Sequence, residues 1–188
     1  FSQVFISFNR LVTKDRSYRL YMVARMMEKK LLDKGRVSLI LTDNGLGTWQ
    51  EELTDPNSRL SPRAKSTVTQ YISKLADSLT IDTDDPPGCA SAHASCQDLH
   101  LLKSALWHIV GETVFYDEKL HLTEKIFKPI VARRPFILVG AQGNLAYLKS
   151  YGFKTFDRWI DESYDLEPDP DKRIDMVVDQ LDKLCSLS

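Results

Sequence analysis

Hydrophobic and polar positions alternate along the chain in blocks that predict strands and helices in turn. Short apolar runs predict buried strands at 3–8 (QVFISF), 37–41 (VSLIL), within 104–115 (SALWHIVGETVF), 135–139 (PFILV) and 153–156 (FKTF). Apolar residues at helical spacing predict helices over 16–32, from Ser61-Pro62 onward, and over 123–133, 144–151 and 169–184. Strands that alternate with helices predict an α/β, Rossmann-like parallel sheet with helices on both faces.

Glycine, proline and small polar residues predict where these elements begin and end. Ser61 and Pro62 have the pattern of an N-cap followed by proline in the first helical turn. Gly35 is placed to terminate the first long helix, and Gly152 to close a shorter one. Residues 42–60 predict an exposed loop, and residues 82–98, which lack periodicity, predict a long one. With no boundary inside residues 1–188, we expect a single domain.

Charge and cysteine content narrow the function classes. The net charge of -1 gives no overall attraction to nucleic acid or acidic lipid, although a local basic patch is allowed. No apolar run approaches the roughly 20 residues that span a bilayer, and no secretory signal pattern opens the chain. The cysteines, Cys89, Cys96 and Cys185, are few and odd in number, which favours a reducing cytoplasm. Phe1 in place of Met allows the chain to be a trimmed part of something longer.

The most informative stretch is 122–140, LTEKIFKPIVARRPFILVG, where a Thr-Glu-Lys turn opens a helix. A helix start offers free backbone N–H groups, which favour an anion such as a diphosphate. After Thr123, Lys125 can neutralise phosphate and Glu124 can accept hydrogen bonds from ribose hydroxyls. The alternative is an i,i+4 pair of Glu124 with Lys128 on a solvated face. Pro129 weighs against that alternative, since proline inside a helix costs about 3 kcal/mol and is kept where geometry matters, or for a packing kink.

Polar residues also follow two of the predicted strands, where ligand-facing side chains collect in α/β proteins. Glu112 and Thr113 come directly after SALWHIV, and Asn9-Arg10 come after the first strand. A guanidinium at Arg10 could pair with a phosphate in bidentate fashion. From the following helix, arginines at 16 and 19 could assist. A polar loop and ordinary surface charge are the alternatives for these positions.

Three further features carry weaker predictions. The turn Gly140-Ala-Gln-Gly143 could approach a phosphate, but two glycines alone predict a simple turn. His108 lies in an apolar strand and is predicted to be a core histidine, whereas His121 precedes the key turn and is the better candidate for ligand contact. A low-probability zinc site is formed by four potential ligands in one loop: Cys89, His93, Cys96 and His100.

The run 112–156, ETVFYDEKLHLTEKIFKPIVARRPFILVGAQGNLAYLKSYGFKTF, resembles a family of glycosyltransferase-like proteins common in bacteriophages and marine bacteria. The opening FISFNR and LLDKGRVS are similar to that family as well. The Thr-Glu-Lys turn is also similar to that of α-1,3-fucosyltransferases, where it lies in the C-terminal Rossmann-like domain of a GT-B fold and holds the donor nucleotide. Lys128-Pro129 departs from the usual continuation of that pattern.

The resemblance implies that this chain is mainly the donor-binding half of a GT-B glycosyltransferase, with an N-terminal domain missing. It implies a nucleoside-diphosphate sugar as substrate, an unknown acceptor, no cofactor, no metal and a bacterial or phage-infected cytoplasm. Donor contacts carried over by position are Arg10, Glu112, Thr123, Glu124, Lys125 and Lys128. Catalytic residues remain unassigned. The alternatives are a non-catalytic nucleotide-binding or assembly module and, behind it, a zinc-stabilised structural protein; nothing indicates direct nucleic-acid recognition.

Overall fold

A four-stranded, all-parallel sheet forms the centre of the chain in a computed structural model that describes residues 3–42, 47–81, 99–117 and 119–187. The strands are β1 (Gln3–Ser7), β2 (Gly35–Val37), β3 (Ala105–Gly111) and β4 (Phe136–Val139), in the order β2-β1-β3-β4. β3 and β4 are almost wholly buried, as their unbroken apolar sequences require. Helices pack around the sheet, so the predicted Rossmann-like α/β fold is confirmed.

The helices that surround the sheet are α1 (Tyr18–Glu28), α2 (Glu51–Thr54), α3 (Pro62–Ile72), α4 (Leu99–Ser104), α5 (Glu124–Ala132), α6 (Asn144–Ser150) and α7 (Pro170–Ser186). Short 3-10 segments lie at Lys14–Arg16, Leu32–Lys34 and Glu162–Leu166. The predicted start of α3 is confirmed, because Ser61 Oγ accepts from Ala64 N at 3.0 Å and Pro62 occupies the first turn. α1 packs against both α3 and α7. No helix within the described ranges is long and apolar enough to cross a membrane.

The strand order creates a switch point between β1 and β3. β1 pairs with β2 on one side and with β3 on the other, with Ser7 opposite Val37 and Ile109. The connection after β1 therefore leads to β2 on one side of β1, whereas the next described strand, β3, pairs with β1 on its other side. In open parallel sheets such a point leaves a crevice at the carboxyl ends of the strands, where ligands bind. The residues that follow β1 and β3 lie at that crevice.

The prediction that Gly35 ends the first helix is wrong. α1 ends at Glu28, and the left-handed turn after it is made by Lys30, with φ of 57°. Gly35 instead begins β2 in an extended conformation. The glycine is required there because a side chain would collide with the ring of Phe5 on β1.

The second strand begins two residues earlier than predicted and ends at Val37 rather than at 41. Beyond it, the chain still runs beside β1 through irregular bonds, from Ser38 N to Ser7 O at 2.9 Å and from Ile40 N to Asn9 O at 3.2 Å. Leu39 exchanges backbone hydrogen bonds with Leu79 in an isolated antiparallel bridge outside the sheet.

The predicted strand at 153–156 is also wrong, since those residues form no ladder. Their apolar character reflects ring packing instead: the ring of Phe156 packs edge-on against Trp107 and Phe136, at centroid distances of 5.5 and 5.1 Å.

The exposed loop predicted at 42–60 holds the short helix α2 and the buried residues Trp49, Glu52 and Leu60. The loop predicted at 82–98 lies outside the described residues.

Candidate functional site

A buried carboxylate joins the end of β3 to the start of α5. Glu112 follows β3 directly and is fully buried. Its Oε2 accepts from Thr123 Oγ1 at 2.6 Å, and its Oε1 accepts from Thr123 N at 3.1 Å. The carboxylate thus lies against the N-terminus of α5, where the helix dipole favours negative charge.

Thr123 is the N-cap of α5, as the Thr-Glu-Lys pattern predicts. Its backbone is extended, and its Oγ1 accepts from Lys125 N at 3.3 Å. A threonine at this position can satisfy one of the free N–H groups of the first turn while its own hydroxyl proton goes to an acceptor. Here that acceptor is Glu112. The hydrogen bonds between Thr123 and Glu112 therefore fix the start of α5 relative to the end of β3.

Lys125 lies beside this pair rather than in bulk water. Its Nζ donates to Thr113 Oγ1 at 3.0 Å and to Thr123 Oγ1 at 3.1 Å, and stands 3.9 Å from Glu112 Oε2. The side chain is 30% exposed. Burial lowers the pKa of Lys125, while the charge of Glu112 acts in the opposite direction. The result is a partly desolvated ammonium whose orientation is set by neighbouring hydroxyls.

A cleft opens next to this ammonium. It encloses about 40 Å³ and is lined by residues of β3, α5 and α4 and by the residue after β1, among them Phe8, Leu102, His108, Lys125, Lys128 and Pro129. Pro129 is buried inside α5 and lines the cleft. The cleft has an apolar floor, and the two lysines supply its positive charge.

Asn9 occupies the carboxyl end of β1 and is fully buried. Its backbone N donates to Ser38 Oγ at 2.9 Å, and its Nδ2 donates to Ser7 Oγ at 3.0 Å. Its Oδ1 has no hydrogen-bond partner among the described residues, which leaves a buried acceptor at the crevice. The next residue, Arg10, is exposed.

Arg19 has a structural role that the sequence did not reveal. It is buried, and its guanidinium donates to Leu11 O at 2.9 Å and to Gly111 O at 2.9 Å. These carbonyls belong to the chain after β1 and to the end of β3. Arg19 therefore links the two strand ends, and these donors are used inside the protein. Arg16 is half-buried and close enough to Lys125 for its charge to help lower the pKa of that lysine.

At the Gly140–Gly143 turn, the N-terminus of α6 already has an internal anion. Asp165 accepts from Leu145 N at 2.8 Å and from Ala146 N at 3.0 Å. Burial raises the pKa of this carboxyl. A phosphate would have to displace Asp165 to reach the same N–H groups.

The histidine predictions have different outcomes. His108 is buried and its ring nitrogen bonds to Leu102 O at 2.7 Å, so the core interpretation is confirmed, and burial lowers its pKa. The ligand contact expected of His121 stays a prediction. Its backbone N donates to Asn144 Oδ1 at 3.0 Å, and its backbone O accepts from Asn144 Nδ2 at 3.1 Å.

Of the predicted zinc ligands, Cys89, His93 and Cys96 lie outside the described residues, while His100 is an exposed residue of α4. Within the part of the chain that the structure describes, no three potential ligands cluster.

The structure therefore brings Glu112, Thr123 and Lys125 together, with Lys128 on the adjacent cleft wall and Glu124 exposed at the first turn. Arg10 lies at the end of the neighbouring strand. Sequence reasoning missed the buried Oδ1 of Asn9, which has no partner among the described residues, and the capping by Asp165, and no local pattern signals either of them. No protein-family model, no curated protein and no solved structure matches this chain. The resemblance to glycosyltransferase-like proteins stays a prediction.

Proposed function

We propose that this chain is the donor-binding domain of a GT-B glycosyltransferase, which binds a nucleoside-diphosphate sugar and transfers the sugar to an acceptor. One observation carries the proposal. The N-terminus of α5 and the Lys125 ammonium lie at the carboxyl end of β3, beside the switch point of the sheet and beside a cleft. Because Glu112 already accepts from Thr123 N and Thr123 Oγ1 accepts from Lys125 N, a diphosphate at this place would be held mainly by the Lys125 ammonium.

The hydrogen bonds of Lys125 leave room for a phosphate oxygen. An ammonium has three donors, and two of the Lys125 donors go to the hydroxyls of Thr113 and Thr123. The third donor is the one that we propose for a phosphate oxygen, which competes there with Glu112 Oε2 and Glu124 Oε1, both 3.9 Å from the Nζ atom. A cleft of about 40 Å³ has room for that oxygen and not for the whole donor molecule. Because the ammonium is held by neighbours and partly desolvated, it loses little freedom when the ligand binds.

Two exposed groups complete the donor site in this proposal. Glu124, whose side chain is 47% exposed in the first turn of α5, accepts from the ribose hydroxyls. Arg10, beyond the end of β1, pairs with phosphate oxygens. Lys128 adds positive charge from the cleft wall. Positive charge from Lys125, Lys128 and Arg10 would stabilise the negative charge that the diphosphate gains as the leaving group, and we propose a metal-independent transfer. The catalytic base would come from a second domain.

Ligand binding tests the proposal directly. UDP-, GDP-, ADP- and CMP-sugars are screened with the full chain by thermal shift, and the best ligand is measured by calorimetry. We expect Lys125→Met and Glu124→Ala to weaken binding at least about tenfold, a loss of about 1.4 kcal/mol. Lys172→Ala, at an exposed position on α7, is the matched control and should bind as the wild type does.

The proposal fails if no nucleotide sugar binds, or if Lys125→Met binds the ligand as tightly as the wild type. Each variant is compared with its own ligand-free melting temperature, so a change in stability is not mistaken for a change in binding. Hydrolysis of the bound donor then distinguishes an enzyme from a non-catalytic nucleotide-binding module.

A further inference from the structure

A second concave surface lies on the far side of the segment that leads into the Thr123 turn. This aromatic groove has a volume of about 240 Å³ and is formed by Leu120, His121, Phe127, Tyr147, Tyr151 and Phe153. Its rings are open to solvent, since Tyr151 is 62% exposed and Phe127 is 39% exposed. Large exposed aromatic side chains that share one concavity usually mark a binding site.

The groove is built on a fixed frame. Asn144, which is fully buried, holds both backbone groups of His121, and this pins the 120–122 segment to the start of α6. On α6 itself, the hydroxyls of Tyr147 and Tyr151 lie 2.7 Å apart. The rings of Phe127 and Phe153 pack at 5.8 Å between centroids, which ties α5 to the chain after α6. A surface held at so many points is organised before any ligand arrives.

The lining indicates a neutral ligand that is apolar on one side and hydroxylated on the other. The described residues that line the groove include no lysine, arginine or carboxylate, so this lining offers no ion pair. The polar groups are the paired hydroxyls of Tyr147 and Tyr151 and the imidazole of His121. Within the hydroxyl pair one proton is used internally, and the second proton and the remaining lone pairs are available to a ligand.

The volume of the groove and the angles between its aromatic rings narrow the class of ligand further. Sites for drug-sized ligands have volumes of about 300–1,000 Å³, so a groove of about 240 Å³ suits a single ring. The rings of Phe127 and Phe153 meet at 58°, and those of Tyr147 and Tyr151 at 71°. Neither pair therefore offers two parallel faces between which a flat nucleobase would be sandwiched. We expect the C–H face of a sugar ring to pack on one exposed ring, with its hydroxyls near those of Tyr147 and Tyr151.

We infer that the aromatic groove binds a neutral sugar ring, and that this ring belongs to the acceptor. The second clause rests on the proposed function. Leu122, the residue before Thr123, also lines the groove, so the two sites are separated by one short segment of chain. Binding of the sugar needs only the groove, whereas its role as acceptor needs a donor at Lys125.

Saturation-transfer NMR on the full chain tests the inference with methyl glycosides of glucose, galactose, mannose, fucose and N-acetylglucosamine, without nucleotide. We expect at least one glycoside to bind, with saturation transferred to its ring hydrogens. Tyr151→Ala and Phe127→Ala should each weaken its affinity at least about fivefold, and Tyr151→Phe, which keeps the ring, should weaken it less. Trp159→Ala is the matched aromatic control, because Trp159 is 67% exposed and lies outside the groove lining.

Several results overturn the inference: no glycoside binds, the two alanine variants bind as the wild type does, or uridine or adenosine binds in the groove while the glycosides do not. Self-association that Phe127→Ala abolishes would assign the groove to a second copy of this chain and would also overturn it. If glycosides bind but no nucleotide sugar does, the sugar site stands and the proposed function fails.

Discussion

Thr123 donates both its hydroxyl and its backbone N–H to the two carboxylate oxygens of Glu112, at 2.6 and 3.1 Å. The residues stand eleven positions apart in the sequence, one after a strand and the other before a helix. Because Glu112 is fully buried, its charge must be balanced inside the protein, and the N-terminus of α5 and Lys125 supply that balance. The Glu112 carboxylate thus helps to hold both the N-terminus of α5 and the Lys125 ammonium at the candidate site.

Replacement of Glu112 by glutamine tests this arrangement. The amide has one acceptor oxygen in place of two and removes the charge that faces Lys125. We therefore expect Glu112→Gln to lower the free energy of unfolding by about 1–3 kcal/mol, measured by urea denaturation. Glu124→Gln, at an exposed carboxylate one residue after Thr123, should change it by less than about 0.5 kcal/mol. Equal stability of the two variants would contradict the structural role of Glu112.

Lys125 should make the stability depend on pH in the alkaline range. Burial lowers its pKa in the folded chain below its ordinary value of 10.5. Between the folded and the unfolded pKa, the unfolded chain binds a proton that the folded chain does not, so stability rises with pH. The free energy of unfolding of the wild type minus that of Lys125→Met should therefore increase as the pH rises toward 10.5. Denaturation curves at several alkaline pH values measure it, and a flat or falling difference would refute the expectation.

The sequence predicted the elements whose signals are local. β1, β4, α5 and the start of α3 depend on unbroken apolar runs, a Thr-Glu-Lys cap and a Ser-Pro cap, and all four are present. An apolar run shows that a segment is buried but not what buries it. For that reason the sequence predicts a strand for the FKTF segment, although the ring of Phe156 packs against β3 and β4 outside the sheet.

The site itself was predictable in outline only. The residues after β1 and β3 could be placed at one edge because parallel strands share a direction. The partners of those residues could not, since they are distant in sequence: Arg19 bonds to Gly111, 92 residues away, and Asp165 caps a helix about 20 residues before it. A buried guanidinium and a surface guanidinium have the same local sequence pattern, and only the tertiary contacts distinguish them.

Arg10 and Arg19 should therefore behave in opposite ways. Arg19→Met removes the donors of several buried carbonyl groups, and we expect it to lower the free energy of unfolding by at least about 2 kcal/mol. Arg10→Ala, at an exposed position, should change stability by less than about 0.5 kcal/mol. If the proposed donor site is right, Arg10→Ala also weakens nucleotide-sugar binding severalfold in calorimetry. A large loss of stability in Arg10→Ala would contradict the division of roles between the two arginines.

The last prediction concerns Asp165, whose carboxylate caps α6 and whose pKa is raised by burial. Its carboxylate accepts from two N–H groups at the start of α6, so Asp165→Ala should lower the free energy of unfolding by about 1–2 kcal/mol near neutral pH. Asp157→Ala, which removes an exposed carboxylate, is the control and should change it by less than about 0.5 kcal/mol.

The pH dependence of the same variant follows from the direction of the Asp165 shift. Burial raises the pKa of Asp165 above its ordinary value of 3.8, so in the window between the two values the folded chain holds a proton that the unfolded chain has released. Stability from this group is then greatest at low pH and falls as the pH rises through that window. The free energy of unfolding of the wild type minus that of Asp165→Ala should decrease over the window. A difference that grows with pH would show that the hydrogen bonds from α6 outweigh burial, and would place the folded pKa below the unfolded one.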